Sequence, residues 1–359
     1  MQTVMSKQND WKNFDPDGVG ADNGNYFGLP CTPEESELVL ISAPWDVTVS
    51  YGAGTSFAPD ALIEASPQLD LYDAAAPGAW RRGIATAPVD YSLQERSQRL
   101  RNDAERIIDY LERGGRVTDE LIARKMRRVN EGCAAMNENL YAQASEWLAR
   151  GKRVGLVGGD HSTSYGVIRA VAERHPQLGI LHIDAHCDLR ERYEGFDFSH
   201  ASVMFNVLRD LPVGKLVQVG VRDFCDGEAR RSSEDARIER FDDRLLAENA
   251  FGGMTWAEQC RRIVAALPEE VYVSFDIDGL EPALCPHTGT PVPGGLTFRE
   301  ACRLLEEVGR SGRRIVGFDV VEVVPALEER IDAVVGARIL YKLCMLTLAP
   351  LDETEPMEA

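Results

Sequence analysis

Short, unbroken apolar runs recur along the chain, and amphipathic stretches separate them. Residues 38–43, Leu-Val-Leu-Ile-Ser-Ala, read as a strand buried on both faces. Comparable runs follow at 154–157, 178–183, 216–221, 271–275 and 315–318. Helical spacing fills much of the rest, notably 164–174, 256–267 and 297–309, and 59–66 reads as a helix opened by Pro59. Strand, helix, strand at this spacing predicts an α/β fold with a mostly parallel central sheet and helices on both faces. The stretch from about 93 to 150 differs: it is charged, helical in period, and broken by Gly114-Gly115 into at least two helices. With no linker composition at either flank, it reads as a helical insertion or cover within one domain. The expected organisation is an irregular polar arm over 1–36, a single α/β domain over 37–350, and an acidic tail over 351–359.

Composition narrows the class. The chain has 359 residues, 44% of them hydrophobic, enough for a full core. Its 58 acidic against 39 basic side chains give a formal charge of −19, which disfavours nucleic acid as partner. No stretch approaches the roughly 18–20 apolar residues of a membrane span, so no membrane partner is expected. The polar start has no secretory pattern, and eight scattered cysteines without a CxxC read as reduced thiols of a cytoplasmic protein.

Three predicted strands end in polar clusters: Gly158-Gly159-Asp160-His161-Ser162, Asp184-Ala185-His186-Cys187-Asp188, and Asp276-Ile277-Asp278. Ligands of parallel sheets bind at the carboxyl ends of strands. On extended backbone side chains alternate, so Asp184, His186 and Asp188 are expected to share a side, as are Asp276 and Asp278, while Cys187 turns away. An isolated Asp-x-Asp is commonly a cap or turn; the coincidence of three clusters carries the reading. Four carboxylates gathered with imidazoles demand a cation, and the mixture suits Mn(II), Ni, Fe or Zn better than Ca or Mg. His182, two residues before Asp184, is expected deeper on the same side as a supporting or core histidine. His175 reads as structural, and His287 as a loop residue near the pocket.

These clusters, together with the run from Ser274 through Gly295, closely resemble the signatures of the ureohydrolase family, which includes arginases and agmatinases. The resemblance spans roughly 38–348 and is nearest to the agmatinase-like and guanidine hydrolase subgroup. It implies a three-layer α/β/α subunit, a homotrimer or homohexamer, and two divalent ions per subunit, manganese first and nickel as the alternative. One ion would be held by His161, Asp184, Asp188 and Asp276, the other by Asp184, His186, Asp276 and Asp278. The implied reaction is hydrolysis of a guanidino C–N bond by metal-bound hydroxide, giving urea and an amine. Asp278 would relay a proton. His200, in a stretch resembling the agmatinase segment before a hydrophobic helix, would protonate the departing amine. Glu322 matches the late family glutamate that anchors the guanidinium.

The substrate is then a small cationic guanidino compound. The segment 189–198 lacks the Asn/Ser/Thr-rich loop with which arginases hold the amino-acid end, so arginine is disfavoured. An agmatine-like guanidino-amine and free guanidine, the latter giving urea and ammonia with nickel, are both compatible. Ala201 stands where the family usually has glycine after the shuttle histidine. A one-zinc deacetylase and a non-catalytic family member are the competing readings; the six ligand positions, all present, oppose both.

Overall fold

In the computed structural model, which describes residues 14–326 and 328–349, eight strands form one sheet, every pair of them parallel. They are β1 (Leu38–Ala43), β2 (Ile84–Thr86), β3 (Arg153–Gly158), β4 (Gly179–Ile183), β5 (Lys215–Val219), β6 (Ile238–Phe241), β7 (Glu270–Asp276) and β8 (Arg314–Val321). Their order is β2-β1-β3-β8-β7-β4-β5-β6. Helices α1 (Ala58–Ala65), α8 (Trp256–Ala265), α9 (Phe298–Arg310) and α10 (Ile331–Leu348) pack on one face through Leu62, Ile263, Leu305 and Leu343. Helices α2 (Tyr91–Glu112), α3 (Glu120–Ala149), α4 (Ser164–Ala172) and α5 (Val203–Asp210) cover the other through Leu93, Met136, Ile168 and Val207. The result is the expected three-layer α/β/α sandwich. Both faces of the sheet are dry, which is why its strands read as continuous apolar runs. Each fully buried leucine contributes about 1.5–3 kcal/mol through burial. Two shorter helices, α6 (Asp226–Glu234) and α7 (Asp243–Phe251), flank β6.

Local chemistry explains the boundaries. Capping boxes open α8 (Thr255 with Glu258) and α9 (Thr297 with Glu300), each satisfying backbone donors at both ends of the motif. The charged stretch after residue 90 is the crossover from β2 to β3: α2 and α3 are broken around Gly114, which takes a φ of +82°. Both helices lay an apolar stripe on the sheet layer and turn their charged faces outward. Between residues 14 and 36 the described chain has neither strand nor α-helix, yet Tyr26, Phe27 and Leu29 are buried, and the Tyr26 hydroxyl lies 2.9 Å from Ser42 Oγ. The first 13 residues of the expected arm, and the tail at 351–359, fall outside the described residues. Strands β2 and β6, and helices α6, α7 and α10, are additions to the sequence reading. No helix among the described residues is long and apolar enough to cross a membrane.

Candidate metal centre and active site

Strands β3, β8, β7 and β4 are neighbours at the centre of the sheet, and the candidate residues all follow their carboxyl ends. His161 comes after β3, Glu322 after β8, Asp276 and Asp278 from β7, and Asp184, His186 and Asp188 after β4. Two glycines make the approach close enough. A Cβ on Gly159 would stand 1.8 Å from the Trp45 carbonyl oxygen, and one on Gly279 would stand 2.7 Å from the Asp184 nitrogen.

The six candidate ligands converge. His161 Nδ1 lies 3.1 Å from Asp184 Oδ2, 3.0 Å from Asp188 Oδ2 and 3.3 Å from Asp276 Oδ2. His186 Nδ1 lies 3.4 Å from Asp184 Oδ1 and 3.1 Å from Asp278 Oδ2. Two sets of donor atoms among the described residues lie close enough together to hold a metal: His161, His182, Asp184 and Asp188, and then Asp184, His186 and Asp278; Asp276, expected in both sets, is in neither, and His182 takes its place in the first. Asp184 is common to both. Convergence does not come from extended-strand alternation alone, as the spacing suggested. Asp278 sits in a single 3-10 turn, Ile277–Gly279, with its N–H bonded to Asp276 Oδ1 at 2.8 Å, and Asp188 takes a left-handed φ of +53°.

Beneath the tips runs a polar row. Asp319 of β8, Ser274 of β7, His182 of β4 and Gln218 of β5 are register partners across four adjacent strands. Ser274 Oγ lies 2.9 Å from His161 Nε2 and 3.0 and 3.1 Å from the two oxygens of Asp319. The serine proton goes to the carboxylate, so His161 Nε2 must carry its own proton and donate it to the serine oxygen. Gln218 Nε2 donates to His182 Nδ1 at 2.9 Å, which leaves His182 Nε2–H to donate to Asp184 at 2.7 Å. His182 is therefore the deeper supporting histidine that its position two residues before Asp184 suggests. Ser274, Asp319 and Gln218 were not singled out from sequence, although each is a polar residue interrupting an apolar strand.

That tautomer decides what the site is built for. With Nε2 protonated, neutral His161 turns a lone pair toward three carboxylates, and its buried Nδ1 has no hydrogen-bond partner. Acceptors facing acceptors in a dry pocket need a positive charge between them. Burial works against protonating His161, yet the three carboxylates outweigh it and raise its proton affinity well above normal. Burial and Asp278 push the Asp276 carboxyl well above its ordinary range, and burial with Asp184 pushes Asp188 to about 6. Burial opposes ionisation of Asp184 too, but His182 and His161 hold it well below. A divalent ion fits this oxygen-rich set with its imidazoles.

Glu322 is 5% exposed and left-handed at φ +62°, a conformation that costs a non-glycine residue about 1 kcal/mol or more. Three bonds impose it: its N–H donates to Gly159 O at 2.9 Å, its carbonyl accepts from Thr288 Oγ1 at 2.9 Å, and Oε1 accepts from the His161 N–H at 2.8 Å. Burial, then the nearby Asp160, push its carboxyl well above the usual range, so a cation is favoured beside it. His200 donates its backbone N–H to Thr48 Oγ1 at 3.3 Å and packs against the Tyr193 ring at 6.1 Å. Burial, then His186, lower its pKa to about 3, so the imidazole is neutral at pH 7. Three other residues serve the frame. His175 pairs with Glu270 at 2.9 Å, His287 Nδ1 lies 2.8 Å from Asp332, and Cys187 is buried in the core on the α3–α5 side.

Known proteins resemble this chain over most of its length. An aminopropylagmatine ureohydrolase of Thermus thermophilus is 30% identical over 314 residues, covering 83% of this chain and 87% of its own. An agmatinase of Serratia proteamaculans is 31% identical, covering 90% and 92%. Among solved structures, proclavaminate amidino hydrolase of Streptomyces clavuligerus superposes with a TM-score of 0.69 at 25% identity, covering 92% and 99%. The model of the arginase family matches residues 36–346, and the chain belongs to that family.

Proposed function

We propose that this arginase-family hydrolase cleaves the guanidino C–N bond of a small guanidino-amine, releasing urea and an amine, with two divalent ions per subunit. The observation that carries the reading is the buried His161 Nδ1, held 3.0–3.3 Å from three carboxylates. His161, Asp184, Asp188 and Asp276 would hold one ion, and Asp184, His186, Asp276 and Asp278 the other, with manganese first and nickel as the alternative. Such a pair, when bound, supplies a water acidic enough to ionise near neutral pH.

The chain's own groups do the rest. Glu322 commits Oε1 to the His161 N–H, which leaves Oε2, on the Gly289 side, to accept a planar guanidinium by charge-assisted hydrogen bonds. Asp278 is oriented by the Ala185 N–H at 3.0 Å and by Thr290 Oγ1 at 3.3 Å, and it receives the proton released during attack. His200, neutral at rest, takes a proton and delivers it to the departing nitrogen. The relatives named as agmatinase and aminopropylagmatine ureohydrolase both support a substrate with an amine beyond the guanidino group. The family resemblance further supports a homotrimer or homohexamer, and the free cysteines fit a cytoplasmic setting.

The test is urea release from agmatine, guanidinobutyrate, guanidinopropionate, arginine and free guanidine, with protein loaded with manganese or nickel. Preferred turnover of agmatine or a longer guanidino-amine is expected. Preferred turnover of free guanidine with nickel would move the assignment to guanidine hydrolysis, and no urea from any of them would reject the reading.

A further inference from the structure

The helical crossover α2–α3 touches both loops that wall the candidate site. On the loop after β1, Ser97 Oγ accepts the Asp46 N–H and donates to Asp46 Oδ1, each at 3.1 Å. Asp46 Oδ2 in turn gathers the Gly54 N–H at 3.0 Å and the Ser56 hydroxyl at 3.0 Å. Four residues further along α2, one turn of helix, Arg101 donates Nη1–H to the carbonyls of Val47 and Val49. On the loop after β4, Asn130 of α3 uses both ends of its amide: Nδ2 donates to Gly195 O at 3.2 Å, and Oδ1 accepts the Asp197 N–H at 3.1 Å. That loop turns through two successive left-handed residues, Glu194 (φ +53°) and Gly195 (φ +85°), in a hairpin turn closed by the Phe196 N–H on Tyr193 O at 2.9 Å, and the amide of Asn130 ties this turn to α3.

His200 stands where the two loops meet. Its backbone bonds to Thr48, between the two carbonyls that Arg101 holds, and its ring packs on Tyr193, two residues before the carbonyl that Asn130 holds. We propose that α2–α3 is a clamp setting the position of His200 and the width of the pocket on the leaving-group side, with Arg101 and Asn130 as its positioning residues. Arg101 is 15% exposed and fixed in turn by Glu105 at 3.1 Å, so its guanidinium is committed to this task. One helical hairpin thus couples two loops that have no strand in common and whose own contact, His200 with Thr48, spans 152 residues of sequence. The inference rests on the proposed reaction for its consequence but not for its geometry.

Arg101→Met keeps the aliphatic stem and removes the donors; Arg101→Lys keeps a cation able to reach carbonyls. In metal-loaded protein, Arg101→Met and Asn130→Ala should raise amide hydrogen exchange in 44–57 and 193–199 at least tenfold. Exchange in the core of α9 and the number of bound ions should not change. KM for the best guanidino substrate should rise about tenfold or more, and Arg101→Lys should restore most of both effects. Should Arg101→Met fail to fold, Asn130→Ala alone decides. Unchanged exchange in the two loops overturns the clamp whatever the substrate proves to be. Increased exchange with unchanged KM and kcat overturns its role in substrate positioning. If the wild type hydrolyses no guanidino compound, the proposed function fails, and exchange still decides the clamp.

Discussion

Ser274 Oγ lies 2.9 Å from His161 Nε2, and the same oxygen hands its own proton to Asp319. This contact orients the imidazole, fixes its tautomer and turns Nδ1 into the cage. Ser274→Ala leaves a buried N–H and a buried carboxylate without their shared partner, while removing no candidate ligand. Metal affinity should fall about 10–100-fold, as for other groups that orient a metal-binding histidine. Titration calorimetry on the folded apo-protein measures it, and unchanged affinity would show that His161 is held by something else.

Asp276 and Glu322 both meet His161, the first at its ring and the second at its backbone N–H, but are assigned different work. Asp276→Ala should abolish metal binding and activity together, because the carboxylate serves both proposed ions. Glu322→Gln keeps an acceptor for the His161 N–H but replaces the charge and the second acceptor oxygen by an NH2 donor, so metal content should be retained while KM rises or turnover falls by about 10-fold or more. Elemental analysis beside steady-state kinetics separates the two. Loss of metal in Glu322→Gln would make Glu322 a ligand.

Glu194 gives a pH signature away from the metal cage. Burial, then Glu112, raise its carboxyl to about 7, and its Oε2 has no hydrogen-bond partner. A folded-state value above the unfolded one means that the folded protein binds more protons between about 4.5 and 7, so stability falls as pH rises through that window. Glu194→Gln should therefore match the wild type near pH 4.5 and exceed it by about 1 kcal/mol above pH 8, allowing for partial exposure. Denaturant unfolding of both proteins across pH 4.5–8.5 reads the difference. A gap independent of pH would mean that the side chain does not titrate in this range.

The sheet and its ligand-bearing tips are legible because each central strand is an apolar run ending in a polar cluster. Strand β2 is only Ile84–Thr86, too short to show a period, and β6 (Ile238–Phe241) is an edge strand with Glu239 and Arg240 in it. Helix α10 is buried along most of its length, so it shows little amphipathic contrast, and its apolar character names no face. At the site, residue types pointed to Asp184, His186 and Asp188, but only the left-handed turn at Asp188 and the 3-10 turn at Asp278 explain how they meet. The clamp residues Arg101 and Asn130 sit in charged helices among many similar side chains, where nothing in one sequence distinguishes a loop-holding arginine from a solvated one. Asp319, Ser274 and Gln218 were detectable in principle as polar residues inside buried strands, a placement that is costly unless each finds a partner.

Everything assigned to the site depends on a cage that takes two cations. The direct measurement is metal content per chain after loading with saturating manganese or nickel and removal of excess, by elemental analysis. Two ions per chain are expected in the wild type, falling to at most one in His186→Ala with the fold intact. A wild-type protein that holds one ion or none under saturating conditions would contradict the two-cation cage.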